Sequence, residues 1–273
     1  MVQDGEFPLG QIIDLYYTEE FASNTELLRE VPGLQIGNSE QIKKLKKQHN
    51  QGLRLLKAEE FDHVDPNGYL LEIDEKGILL KAHSAKAMLP GIYSLVQLSY
   101  LNDLKFLPYV KIEDKPRFSY RGMHLDVSRN FMPFNFLKKY IDLLALYKFN
   151  YFHWHLTDGA GWRLEIKQYP ELTQKAAWRT HMLWKDWWNN GRQYVDQGSP
   201  NASGGYYTQD QARELVAYAE KRGITIIPEI VHSKTQNSIM FDKQFLETIN
   251  FFFSKLIITS IFNCIRLPVC RGV

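Results

Sequence analysis

Charged and imidazole side chains gather where consecutive strands would end. Asp126, Ser128 and Arg129 close one apolar run, His153 and His155 lie on a second that ends at Thr157-Asp158, and Pro228-Glu229 ends a third. In a parallel βα fold such strand ends share one mouth. Arg129 brings a planar fork of donors that keeps its charge, and Asp158 brings a carboxylate beside it. Together they could hold neighbouring hydroxyls of a sugar; the alternative is a structural salt bridge. His153-Trp154-His155 puts two imidazoles on one strand face. Without a third ligand they read as interior histidines that donate to neighbouring strands rather than as a metal site. His124, two residues before Asp126, reads as a satisfied core residue.

The elements that must carry these residues follow from periodicity. Tyr120–Val127 and Tyr151–Leu156 are strand-like, separated by Phe134–Tyr147 with apolar positions at helical spacing. Thr208-Gln209-Asp210-Gln211 matches a capping box, opening a helix to Arg222 that stops at Gly223. Ile224–Ile230 is nearly all apolar and predicts a strand buried on both faces. Strand, helix, strand, loop, helix, strand reads as consecutive βα units. No glycine-rich phosphate loop follows any of the strands, which argues against a nucleotide-binding sheet.

Residues before Asp114-Lys115-Pro116-Arg117 read differently, as α+β. Tyr69–Ile73 and Ile78–Ala82 flank Asp74-Glu75-Lys76-Gly77 as a hairpin, and Gly52–Ala58 and Leu107–Ile112 add strands. Ser84 caps a helix to about Leu101, in which Pro90 is tolerable only near the first turn or with a kink. Lys43, Lys44, Lys46 and Lys47 read as the solvated face of a short helix.

The 273 residues can bury a core in one large domain or two medium ones. A formal charge of +2 gives no reason to expect nucleic acid or an anionic membrane as partner. Cys264 and Cys270, the only cysteines, have no metal-ligand spacing. The first residues show no basic and then apolar stretch of the secretory kind, and the compartment stays open. Four of six tryptophans fall between Trp178 and Trp188 in a polar stretch. That suits either a surface that stacks on sugar faces or a loop packed on its own aromatics.

Tyr120-Arg121-Gly122-Met123-His124-Leu125-Asp126-Val127-Ser128-Arg129 resembles the first barrel strand of glycoside hydrolase family 20, the β-N-acetylhexosaminidases. Tyr147–Asp158, Gly161-Trp162-Arg163, Tyr169-Pro170-Glu171-Leu172, Gly205-Tyr206-Tyr207-Thr208 and Gly223–Ile230 continue the resemblance in order. It implies a small α+β domain over 1–115, the first three βα units of a (β/α)₈ barrel over 116–230, and a divergent tail over 231–273. It also implies removal of terminal β-linked N-acetylhexosamine from glycans with retention, the substrate's acetamido oxygen attacking its own anomeric carbon. Arg129 would bind the terminal sugar's hydroxyls, and Asp158 would link through a histidine to the acid catalyst. Neither a metal nor an organic cofactor is implied, and members of the family are usually exported or lysosomal.

The resemblance stops after Ile230. Where the family continues with an acidic residue and then x-Pro-Gly-His, this sequence reads Val231-His232-Ser233-Lys234. His232 is a weak candidate for the family histidine, and Glu229 a weak candidate for a substitute acid. The family's Gly-Gly-Asp-Glu is absent; Asp74-Glu75 lies in the hairpin. The expectation is a chain whose coding frame was lost near Ile230 and which lacks its acid, or a non-catalytic sugar-binding derivative. The tail's apolar run, Phe251 to Phe262, is interrupted by Lys255 and short for a membrane span.

Overall fold

In a computed structural model the described residues are 2–38, 41–44, 51–59 and 63–230. Lys46, Lys47, His232, the apolar tail and both cysteines lie outside them. The chain falls into two compact units. The first comprises Met1–Met123, Lys139–Tyr151 and Lys221–Ile224 and so runs past the Asp114–Arg117 segment; the second holds the described residues of His124–Lys138, Phe152–Glu220 and those from Thr225 on.

The first unit begins with β1 (Val2–Pro8), β2 (Ile12–Ile13), β3 (Leu15–Tyr17), α1 (Thr25–Leu28), β4 (Gln35–Ile36) and β5 (Ile42–Lys44). It continues with β6 (Gly52–Lys57), β7 (Tyr69–Asp74), β8 (Gly77–Ala82), α2 (Ala85–Leu101) and β9 (Phe106–Asp114). Seven strands form one mixed sheet in the order β1-β9-β7-β8-β6-β3-β5. The hairpin sets the register: Leu71 faces Leu80 and Ile73 faces Ile78 across β7 and β8, while Leu53 and Leu55 of β6 meet Ile78 and Leu80 from the other side. Because side chains alternate along a strand, these six share one face, and all are essentially inaccessible to solvent. Fully burying one such side chain is worth about 1.5–3 kcal/mol. Gly77 closes the hairpin at φ +128°, and a Cβ there would lie 2.4 Å from the Gly52 carbonyl oxygen.

Helix α2 covers that face with Met88, Ile92 and Leu95. Ser84 Oγ accepts from the Ala87 N–H at 3.2 Å, which caps the helix as the sequence predicts. Pro90 sits inside the helix, where it leaves the Lys86 carbonyl without its N–H partner. Next to it Gly91 lets the backbone come close to the sheet: a Cβ would lie 2.6 Å from Leu80 Cδ2.

The lysine helix is corrected. Lys43 and Lys44 belong to β5, the edge strand beside β3, where Lys43 pairs with Asp14 and Lys44 with Glu19. Charged lysines on an edge strand discourage a further strand from adding there, so Lys43 and Lys44 serve a sheet edge and not a helix face.

The remaining elements are β10 (Gly122–Asp126), α3 (Phe134–Leu146), β11 (Tyr151–Asp158), β12 (Gly161–Trp162) and α4 (Glu171–Gln174), then β13 (Trp178–Arg179), α5 (Trp184–Asn189), β14 (Ser203–Gly204), α6 (Gln209–Lys221) and β15 (Thr225–Ile230). A four-stranded sheet places β11 between β10 and β12, with β15 also paired to β11. Strands β10 and β11 run in the same direction: the Tyr151 N–H donates to the Arg121 carbonyl at one end and the Val127 N–H to the His155 carbonyl at the other. The capping box of α6 forms in both directions, Gln211 N–H to Thr208 Oγ1 at 3.1 Å and Thr208 N–H to Gln211 Oε1 at 2.9 Å. Strand β15 departs from its prediction. Only Ile226 is buried and its other five residues are half-buried, because among the described residues β15 is paired on one side alone. Among the described residues no helix is long and apolar enough to cross a membrane.

Candidate functional site

The residues at the strand ends of the second unit come together. Asp126 fixes the turn after β10: its Oδ1 accepts from the Ser128 and Arg129 N–H groups at 2.9 and 3.0 Å. Its Oδ2 takes Arg129 Nη1 at 2.9 Å. The other arm of the guanidinium, Nη2, reaches Asp158 Oδ2 at the end of β11, 2.7 Å away. Arg129 thus lies between two carboxylates, partly exposed, with its fork held in a single orientation. The structure realises the ion pair and at the same time leaves both groups at the mouth.

His155, buried beside them, connects this pair to β15. Its Nδ1 is 3.0 Å from Glu229 Oε2, and its Nε2 is 3.4 Å from Arg129 Nη1 and 3.5 Å from Asp158 Oδ2. A neutral ring with its proton on Nδ1 donates to Glu229 and offers Nε2 to Arg129, which fits these neighbours. Glu229 Oε2 also takes His153 Nε2 at 2.8 Å, with His124 Nε2 at 3.7 Å. One carboxylate oxygen therefore gathers three imidazoles. His124 is corrected here: it is half-exposed and faces Glu229 edge-on to both other rings, so it is not a core residue.

His124, His153 and Glu229 supply the third ligand that the sequence pattern lacked, their donor atoms lying within 4.8 Å of one another. The geometry is nevertheless that of direct hydrogen bonds. The 2.8 Å separation of His153 and Glu229 is shorter than the roughly 3.3 Å edge of a tetrahedral zinc site with bonds near 2.0 Å. With three carboxylates to one guanidinium, the mouth disfavours anionic ligands.

Arg163 was legible only as part of Gly161-Trp162-Arg163, and its role is structural. It is buried to 1% exposure and donates to four carbonyls: Val127 at 3.0 Å, Ser128 at 2.8 Å, Ala177 at 2.6 Å and Gly205 at 3.1 Å. Burial, with help from the charge of Arg179, pushes its guanidinium down to about 10. Ser128, fully buried, donates through Oγ to the Gly161 carbonyl at 2.8 Å. The backbone on which Arg129 stands is thereby tied to the segments around 161, 177 and 205.

The tryptophan-rich segment divides between its two readings. Trp187 is buried, and Trp178 donates through Nε1 to the Thr173 carbonyl at 2.8 Å, so these two pack inward. Trp184 and Trp188, on the short helix α5, are 37% and 45% exposed.

The chain is similar to known proteins of one family. Residues 118–237 match the family model described as glycosyl hydrolase family 20, catalytic domain. A β-hexosaminidase of Vibrio furnissii is 45% identical over 175 residues, 61% of this chain and 26% of that protein. One of Porphyromonas gingivalis is 40% identical over 60% of this chain and 20% of its own length. Among solved structures, the β-N-acetylhexosaminidase of Bacteroides fragilis superimposes with a TM-score of 0.71 at 27% identity, covering 94% of this chain and 52% of that one. A Vibrio harveyi exo-β-N-acetylglucosaminidase in complex with N-acetylglucosamine gives 0.64 at 30% identity over 84% of this chain and 34% of its own. The chain spans about a fifth to a quarter of the length of these two curated relatives.

Proposed function

We propose, from the premise that residues 118–237 are catalytic-domain sequence of glycosyl hydrolase family 20, that this chain carries the terminal-sugar side of a β-N-acetylhexosaminidase site. Residues 1–115 are the α+β domain before the barrel and 116–230 its first three βα units. The observation that carries the reading is the connected chain Asp158–Arg129–His155–Glu229 at the ends of β10, β11 and β15. Arg129 and Asp158 present donors and an acceptor side by side, the pairing that two adjacent sugar hydroxyls require. In the family the substrate's own acetamido oxygen is the nucleophile, so the protein's tasks are to hold the sugar, protonate the leaving oxygen and steady the acetamido nitrogen.

The second and third of those tasks need an Asp-Glu pair in a Gly-Gly-Asp-Glu setting, which these 273 residues lack. A missing general acid costs on the order of 10²–10⁴ in rate. The chain accordingly binds terminal N-acetylhexosamine and, by itself, does not cleave it. A second reading is a non-catalytic sugar-binding protein derived from the family, which shares the same Arg129–Asp158 site. Turnover of a chromogenic β-N-acetylglucosaminide by the purified 273-residue chain, with circular dichroism on the same sample, tests the proposal. A folded chain without turnover that binds N-acetylglucosamine supports it. Turnover abolished by Glu229→Gln would make Glu229 the acid and overturn the account of the missing pair. A folded chain that does not bind the sugar overturns the site assignment. A cooperative unfolding transition would favour the dedicated binding protein.

A further inference from the structure

We propose that the cavity at the start of α2, in the first unit, binds a phosphate monoester with a small, ring-sized organic part, its phosphate held by Lys86 and Arg121. This is a second ligand site and does not depend on the reading of Arg129 and Asp158.

The cavity has a volume of about 330 Å³, and all of its lining residues belong to the first unit. Pockets for small molecules begin at about that size, roughly 300–1,000 Å³. Lys86, Arg121, Lys148 and Arg222 line it, and none of its lining residues is a carboxylate. Two of these four cations are matched by acids that do not line the cavity. Lys148 Nζ lies 2.8 Å from Asp114 Oδ2, and Arg222 meets Asp142 at 2.6 Å and Glu30 at 3.0 Å. Among the described residues, neither Lys86 nor Arg121 has a carboxylate within ion-pair distance.

Arg121 is fixed in the wall. Its Nε donates to the Lys148 carbonyl at 2.8 Å and its Nη1 to the Phe118 carbonyl at 2.7 Å, while its backbone N–H donates to Asn150 Oδ1 at 2.8 Å. These bonds set the plane of the fork and leave Nη2 without a hydrogen-bond partner among the described residues. Burial holds the guanidinium below its ordinary value, and the charge of Asp114 only partly offsets it. A half-buried guanidinium served by carbonyls alone is short of a counter-charge, which an anion in the cavity supplies.

Lys86 stands exposed in the first turn of α2, a turn that carries no acidic residue. Two unmatched positive charges suit one group of charge near −2, and a phosphate monoester carries about −1.5 to −2 at neutral pH. Arginine grips phosphate oxygens with its fork, and lysine adds a point charge. Leu89, Pro90, Tyr93 and Phe149 give the same cavity an apolar wall for the organic part, and Asn67 and Asn150 add amides.

The test is titration of the 273-residue chain with phenyl phosphate, phenyl sulfate, inorganic phosphate and phenol, repeated in Lys86→Glu, Arg121→Gln and Arg129→Ala. Phenyl phosphate should bind, and roughly 10-fold or more tightly than each of the other three. Lys86→Glu should weaken it by at least about 10-fold, because a charged contact is replaced by a repulsion. Arg121→Gln should do the same, and Arg129→Ala should leave the affinity unchanged. Lys86 is exposed and makes no bond to the described residues, so Lys86→Glu keeps the fold and decides the matter if Arg121→Gln does not fold. Failure of phenyl phosphate to bind overturns the proposal, and so does binding that survives Lys86→Glu. Equal affinity for phenyl sulfate overturns the match to a dianion, and equal affinity for inorganic phosphate overturns the ester. Binding lost in Arg129→Ala would put the anion at the sugar mouth and overturn the cavity as its site.

Discussion

Arg129 Nη2 and Asp158 Oδ2 are 2.7 Å apart at the ends of two adjacent strands, and Asp126 holds the other arm of the same guanidinium at 2.9 Å. A fork fixed from both sides reaches a ligand in one orientation, so its contribution should depend on geometry and not on charge alone. Arg129→Lys keeps the charge and loses the fork. It should weaken N-acetylglucosamine binding nearly as much as Arg129→Ala, by about 10-fold or more for each charged hydrogen bond lost at about 1.5–3 kcal/mol. Isothermal titration reads the loss. Full affinity in Arg129→Lys would mean that Arg129 acts only as a structural ion-pair partner.

Glu229 has a different part, because it touches His153 and His155, and His155 in turn reaches Arg129. Glu229→Ala leaves two imidazole N–H donors without their acceptor, and His155 is buried. We expect a loss of about 1–3 kcal/mol in stability, with weaker sugar binding as the His155 ring loses its orientation under Arg129. Urea denaturation and a sugar titration on one preparation separate the two effects. Unchanged stability would remove Glu229 as the hub of the cluster.

Much of the fold was legible because its parts are local. The Ser84 cap, the reciprocal Thr208–Gln211 box and the glycine of the Asp74–Gly77 turn each depend on residues within three positions of one another. Asp126, Arg129 and Asp158 could be named from strand ends alone. What sequence could not give depends on partners far along the chain. Lys43 and Lys44 join a strand because Leu15–Tyr17 is there to pair with. The three imidazoles meet Glu229 only once β15 pairs with β11, so His124 reads as core until that strand is placed. Trp184 and Trp187 have the same side chain three positions apart, and only the anchoring of α5 turns one out and the other in.

Arg163 gives a test of scaffold against site. Its guanidinium has four backbone carbonyls as partners and, among the described residues, no carboxylate within ion-pair distance. Arg163→Met has similar bulk but leaves those buried acceptors unpaired, which should cost at least about 3 kcal/mol. Arg163→Lys should recover little, since a single ammonium cannot span the segments at 127, 177 and 205. Thermal denaturation followed by far-ultraviolet circular dichroism measures both. Stability within error of the parent would mean these segments are held by other contacts.

Asp114, Lys148 and Tyr69 give the first unit a pH-dependent element. Lys148 Nζ lies 2.8 Å from Asp114 Oδ2 and 2.9 Å from Tyr69 Oη. Burial works to raise the Asp114 carboxyl, but the hydrogen bond and charge of Lys148 outweigh it and hold the group below its usual value. A carboxyl depressed in the folded state stabilises above its unfolded value, near 3.9, and that contribution is lost as pH falls through the lower folded value. For Lys148 burial works downward, and Asp114 and Tyr69 outweigh it, so the group is raised. Its contribution is present below about 10.4 and is lost as pH rises through the higher folded value. Asp114 is partly exposed, so the acid-side effect should be under about 1 kcal/mol. Lys148→Met should therefore flatten the dependence of the melting temperature on pH between about 2 and 4, the interval below the ordinary carboxylate value. It should do so without changing sugar affinity at neutral pH. Parallel melting curves for parent and variant across that interval would show that the pair contributes nothing to folding.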